Sequence, residues 1–225
     1  MTGNVNPEIP FNLQKDFEKE AEQALTLYLD FVVDGTASMY TVFPAVYFAA
    51  VHFLECLTKY EIYPRLGLTV IRNEEAGEAT EVMDFEGSAF TSDLNLFLKK
   101  LRTISLYGGG EDGKESVHKA IRKAIDKFPS YGRNKALLVF SDAYGSNDYD
   151  EYITSPLGQV IFFCTEEMSE EDFLFCFVRE DGAFDEEASP MYISIEKLLR
   201  PLNGEFLDNI VKPLKDLMKG VSIGA

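Results

Sequence analysis

A three-layer, doubly wound α/β fold on a mostly parallel six-stranded sheet is what this 225-residue chain predicts. Three observations lead there. Residues 27–33 and 135–140 are apolar on both strand faces, as central parallel strands are. Phe43, Val46, Tyr47, Ala50, Phe53, Leu54 and Leu57 recur at three- and four-residue steps, the period of a helix packed along one face. Beyond them, strand-like and helix-like segments alternate, the pattern of βαβ units.

The elements follow in order. Residues 1–24 form an N-terminal extension with charges at helical spacing over 13–24, and 25–225 form one domain. The first strand, 27–33, leads into the helix of about five turns that carries Phe43 to Leu57. Residues 66–71 are the second strand. The half-exposed stretch 80–85 hairpins back on it across 74–77 as an antiparallel edge. Ser92 is placed to cap a helix running to about residue 102, with Leu94, Phe97, Leu98 and Leu101 on one side. A glycine-rich loop, 107–113, opens the helix 115–128. Strands 135–140, 159–164 and 173–178 complete the sheet. Residues 195–200 and 206–219 are helical, the second perturbed by Pro213.

Charge narrows the function. Lys and Arg total 21 against 38 Asp and Glu, a net charge of −17. Such a surface repels nucleic-acid phosphates and anionic lipid, and draws in divalent cations or basic partners. The three cysteines, Cys56, Cys164 and Cys176, have no CxxC spacing and sit in apolar surroundings. They read as buried thiols of a reducing compartment. Residues 1–22 hold no apolar signal core, and the apolar stretch 42–57 is interrupted by Pro44, His52 and Glu55. The expected location is cytoplasmic, with no membrane span.

The chemistry lies at the strand ends. Asp34-Gly35-Thr36-Ala37-Ser38-Met39 places a carboxylate and two hydroxyls at i, i+2 and i+4 where a strand passes into a helix. Oxygen donors on one tight loop suit a hard cation such as Mg²⁺. Ligands of open α/β sheets bind at such carboxyl ends. A second loop carries Gly108-Gly109-Gly110-Glu111-Asp112 and a third Ser141-Asp142. Right-handed crossovers bring the three to one edge of the sheet.

These motifs resemble the von Willebrand factor A domain and its metal-ion-dependent adhesion site. The family's first motif, Asp-x-Ser-x-Ser followed by Met, is matched by Asp34 to Met39, with Thr36 for the first serine. Its third, an apolar strand ending Thr-Asp-Gly, is matched by 137–143, with Ala143 for glycine. The second loop resembles a cytosolic branch with Gly-Gly-Gly-Asp-x-Pro-Glu, with Lys114 for proline and one extra acid. Either Glu111 or Asp112 can then face the metal, and spacing to Glu115 favours Asp112. The resemblance implies a Mg²⁺ site (Mn²⁺ or Ca²⁺ possible) held by Thr36 and Ser38 directly and by Asp34 and Asp142 partly through water, with Asp112 in the family's threonine position. It implies binding rather than catalysis: a protein partner offering an Asp or Glu, in a scaffold beside an ATPase or kinase system. It also implies that the C-terminal helix, 206–218, can shift with the metal loops.

Other readings compete. Gly108-x4-Gly113-Lys114 with the strand ending at Asp142 fits most of an NTPase phosphate loop. Against it, Glu115 replaces the Mg²⁺-binding hydroxyl, and Glu111 and Asp112 would repel phosphate. A metal-dependent hydrolase is a second alternative, since an open metal position also activates water. His52 and His118 are not placed to activate a serine, and no Gly-x-Ser-x-Gly elbow occurs. The charged stretch 179–187 is either a solvated loop or a dock for a basic partner. Tyr144, Tyr149 and Tyr152 either rim the metal site or pack.

Overall fold

The computed structural model describes residues 26–109, 114–115, 117–130, 134–142, 144–145, 153–154, 159–164, 177–178 and 191–194. Six strands form the main sheet: β1 (Tyr28–Asp34), β2 (Arg65–Ile71), β3 (Glu81–Val82), β4 (Lys135–Phe140), β5 (Gln159–Cys164) and β6 (Met191–Ser194). Their spatial order is β6-β5-β4-β1-β2-β3. All neighbours run parallel except β3, which pairs antiparallel with β2 through Thr69–Val82 and Val70–Glu81. This is a doubly wound sheet of the von Willebrand factor A/Rossmann type. Its strand order reverses between β1 and β4, where such sheets bind ligands.

Alternation along the strands sorts the core into two halves. Leu29, Phe31 and Val33 of β1 face one side, with Leu66, Leu68 and Val70 of β2 and Leu138 and Phe140 of β4. Helices α1 (Phe43–Lys59) and α2 (Leu94–Arg102) cover that side, burying Val46, Ala50, Phe53, Leu57, Phe97 and Leu101. Phe31 lies at its centre, its ring 4.9 Å from that of Phe97 and 6.1 Å from that of Phe140. Each such side chain contributes about 1.5–3 kcal/mol on burial. Tyr28, Val32, Leu137, Val139 and Phe162 face the other side, under Val117, Ile121, Ala124 and Phe128 of α3 (Val117–Asp126) and the turn after it. Helices therefore lie on both faces, as expected. Among the described residues no helix is long and apolar enough to cross a membrane. Cys56 is buried.

Several boundaries differ from expectation. The cap of α2 is Asp93, whose carboxylate accepts from the backbone N–H of Asn95 and Leu96 at 2.9 and 3.1 Å. Ser92 is not the cap: Thr91 is bridged to Leu66, and the Ser92 hydroxyl accepts instead from Arg65. The edge strand is two residues long, because Asp84 accepts from Gly87 N and turns the chain at once. Helix α3 starts at Val117, since Lys114–Glu115 pair in parallel with Tyr144–Gly145. Phe177–Val178 pair with Ile153–Thr154 in a separate ribbon, and Met191–Ser194 supplies the sixth strand of the sheet in place of 173–178. The helices expected at 13–24, 195–200 and 206–219, and the loop 179–187, lie outside the described residues.

Candidate metal centre

The first loop leaves β1 with Asp34 fully buried. Its Oδ1 accepts from the Thr36 backbone N–H at 2.9 Å and from Thr36 Oγ1 at 2.7 Å. Thr36 Oγ1 lies 3.0 Å from Ser38 Oγ. Ser38 Oγ donates to Asp142 Oδ1 at 2.9 Å, and Ser141 Oγ donates to Asp34 Oδ2 at 2.7 Å. Each hydroxyl has one proton, so two hydrogen-bonded groups, Ser141–Asp34–Thr36 and Ser38–Asp142, meet at the contact between the Thr36 and Ser38 oxygens, bringing together residues 107 positions apart in sequence. Asp34 and Thr36 are buried, Asp142 is partly buried, and Ser38 is exposed, so the cluster opens to solvent at Ser38.

Backbone contacts bind the loops to one another. Tyr107 N donates to Gly35 O at 3.1 Å and Ala37 N to Gly108 O at 3.4 Å, fastening the second loop to the first. Gly108 and Gly109 have φ of 71° and 99°, a left-handed backbone that glycine adopts without strain. The Lys114–Glu115 pairing with Tyr144–Gly145 fastens the far end of the second loop to the third. Of the five expected ligands, Asp34, Thr36, Ser38 and Asp142 come together. Asp112 and its alternative Glu111 lie outside the described residues, as do Tyr149, Tyr152 and the side chain of Tyr144. Ser141 belongs to the cluster and was not among the expected ligands. Its signal in the sequence was a hydroxyl next to Asp142 at a strand end. Lys114–Glu115, where a phosphate loop would open its helix, are strand.

The electrostatics of Asp34 are unusual. Burial pushes its carboxyl above the usual range and the charge of Asp142 adds to this, while bonds from Ser141 and Thr36 oppose it. Burial likewise raises Asp142, against the bond from Ser38. No lysine or arginine of the described residues forms an ion pair with either. The other fully buried acid of β1 is treated differently. Asp30 receives Lys127 Nζ at 2.7 Å and Thr69 Oγ1 at 2.9 Å. The fold supplies a cation to Asp30 from its own chain and supplies none to Asp34 among the described residues.

Among the described residues no group of three or more His, Cys, Asp or Glu side chains is placed to hold a metal. The donors here are instead two carboxylates and three hydroxyls. Their oxygen–oxygen spacings of 2.7–3.0 Å are those of the contacts that join them. The residues present fit a hard divalent ion in donor type, all five being oxygen donors.

No protein-family model matches the chain, and no curated protein matches it. Among solved structures it is similar to the ArnB paralog VWA2 from Sulfolobus acidocaldarius, at 14% identity and a TM-score of 0.39. The match covers 76% of this chain and 42% of that one, so the chain spans about two fifths of that protein's length. Likeness at that level leaves the fold to rest on strand order and register.

Proposed function

We propose that this domain is an intracellular binding module, which holds a divalent cation, Mg²⁺ foremost, at the junction of β1 and β4 and presents it to a carboxylate of a partner protein. What carries the reading is one contrast. Asp34 is fully buried in a cluster of hydroxyls and a second carboxylate with no cation partner among the described residues, while Asp30 on the same strand has Lys127. A buried charge without a partner is costly, and a bound ion relieves that cost.

In this reading Thr36 and Ser38 offer hydroxyl oxygens directly. Asp34 and Asp142 supply charge, partly through water, and Ser141 keeps Asp34 Oδ2 oriented. The bound ion supplies an electrophile with a position open to a partner's Asp or Glu. Exposed Ser38 marks the side from which that carboxylate approaches. If Asp112 of the second loop joins as a third carboxylate, it tightens the ion and leaves it a weaker electrophile, so partner affinity is modest. The net charge of −17 favours a partner whose carboxylate sits within a basic surface. Binding without turnover, a cytoplasmic setting and a scaffold role beside an ATPase or kinase complete the proposal.

Calorimetric titration with Mg²⁺ and with Mn²⁺ tests the ion, with heat of binding expected for wild type and none for Asp34→Ala. Equal heats in both refute it. Capture of partners in Mg²⁺ against chelator tests the second half, and partners retained equally in both would show that the ion does not present the surface.

A further inference from the structure

Arg72 directly follows β2 and is among the largest fully buried side chains. Its Nε and one terminal nitrogen each lie 2.8 Å from Glu81 Oε1 on β3. Its other terminal nitrogen donates to two backbone carbonyls, Gly35 O and Ser105 O, the latter at 2.9 Å. The Tyr107 ring lies against the guanidinium, 4.1 Å from the carbon to the ring centroid. Gly35 is the residue between Asp34 and Thr36, and Ser105 and Tyr107 lead into the glycine loop. Gly35 O also accepts from Tyr107 N at 3.1 Å, so two donors fix that peptide.

The fit depends on Gly35 having no side chain. A Cβ there would stand 2.5 Å from the Arg72 nitrogen and 2.5 Å from Val70 Cγ1. Gly35 and Arg72 therefore form one device: the glycine admits the guanidinium, and the guanidinium fixes the peptide from which Thr36 and Ser38 follow. Rotation of that peptide would carry the Thr36 hydroxyl away from Asp34 and the Ser38 hydroxyl away from Asp142. A stabilising ion pair with Glu81 alone would need neither the Gly35 nor the Ser105 bond.

We infer that Arg72 is a positioning residue of the cation site, holding the Asp34 loop against the Gly108 loop so that the oxygens of Thr36 and Ser38 stay aligned with Asp142. The inference rests on the metal reading given above. Groups that orient metal ligands from behind typically cost 10–100-fold in affinity when replaced. A lysine ammonium lacks the planar fork that reaches both carbonyls while holding Glu81.

The experiment uses Mn²⁺ as probe. Free Mn²⁺ is counted by electron paramagnetic resonance, water-proton relaxation reads the hydration of the bound ion, and thermal unfolding without metal runs in parallel. Arg72→Lys and Gly35→Ala are each expected to weaken Mn²⁺ about 10-fold or more and to leave extra water on the bound ion. Glu81→Gln keeps both carbonyl bonds and an acceptor for the guanidinium. It is expected to hold Mn²⁺ within about twofold of wild type even where its melting temperature drops. Affinity unchanged in Arg72→Lys and Gly35→Ala would overturn the positioning role and leave the site standing. So would Glu81→Gln weakening Mn²⁺ as much as Arg72→Lys, since affinity would then follow stability. Should Gly35→Ala not fold, Arg72→Lys against Glu81→Gln decides alone. Wild type failing to bind Mn²⁺ would remove the metal reading itself.

Discussion

Asp34→Asn separates a cation site from an ordinary polar cluster. The amide has the volume of the carboxylate, its oxygen still accepts from Thr36, and its nitrogen can donate to Ser141 Oγ, so packing is preserved. What it removes is a charge that is fully buried and opposed by no cation of the described residues. Without metal the variant should be more stable than wild type. The gain is on the order of 1–3 kcal/mol: the cost of an unpaired buried charge, less the charge-assisted part of three hydrogen bonds. At about 2–4 °C per kcal/mol for a domain of this size, that raises the melting temperature by about 2–12 °C. Metal reverses the order. At 100 times its Kd, Mg²⁺ stabilises wild type by about 2.7 kcal/mol and leaves the variant unmoved. The pH dependence has a definite sign. Because the fold raises the Asp34 carboxyl, the native state binds more protons than the unfolded chain between the ordinary value of 3.8 and the raised one. Metal-free wild type therefore gains stability as pH falls through that window, and the variant lacks this part of the slope. Differential scanning calorimetry in chelator and in Mg²⁺, from pH 7 to pH 5, reads all three effects. An equal Mg²⁺ response in both proteins, or a variant less stable than wild type in chelator, would refute the reasoning.

Three further substitutions probe the same physics. Ser38→Ala removes the exposed link between Thr36 and Asp142 and should weaken Mg²⁺ at least about 10-fold, with stability in chelator changed by less than about 0.5 kcal/mol; titration calorimetry and denaturant melts check both. Lys127→Met strands the buried Asp30 carboxylate and should cost about 3–5 kcal/mol in urea unfolding, most of it recovered when Asp30→Leu is added. A loss below about 1 kcal/mol would show that Lys127 does not carry Asp30. Gly67→Ala sets a Cβ 2.7 Å from Asp30 Oδ1 and 2.7 Å from Phe90 Cε1, and should cost about 1–3 kcal/mol by overpacking. Neutral stability there would mean that the Asp30 pocket yields.

The sequence made some of this legible and hid the rest for physical reasons. Strands β1, β2, β4 and β5 could be read because both their faces are buried, which writes nearly continuous apolar runs. Met191–Ser194 could not, being four residues long at the edge of the sheet. Ser92 and Asp93 can both cap a helix, and only the Thr91–Leu66 bridge decides between them. Lys114–Glu115 suit a helix start as well as a strand, so their pairing with Tyr144–Gly145 depends on contacts 30 residues away. Four of the five candidate ligands could be placed, because the strand ends that carry them were the clearest elements. Arg72, Asp30 and Lys127 gave no signal. A buried charge announces itself through its contacts. Lys127 and Asp30 are 97 residues apart in sequence, and the Gly35 carbonyl that Arg72 reaches is 37 away. The acid partner of Arg72, Glu81, nine residues on, looks from sequence like any surface acid on an edge strand.

The most direct measurement is anomalous diffraction from a crystal grown with Mn²⁺. A peak is expected at the β1–β4 junction, about 2.1–2.3 Å from the hydroxyl oxygens of Thr36 and Ser38 and within one bridging water of Asp34 and Asp142. A peak elsewhere on this acidic surface, or none at millimolar Mn²⁺, would contradict it.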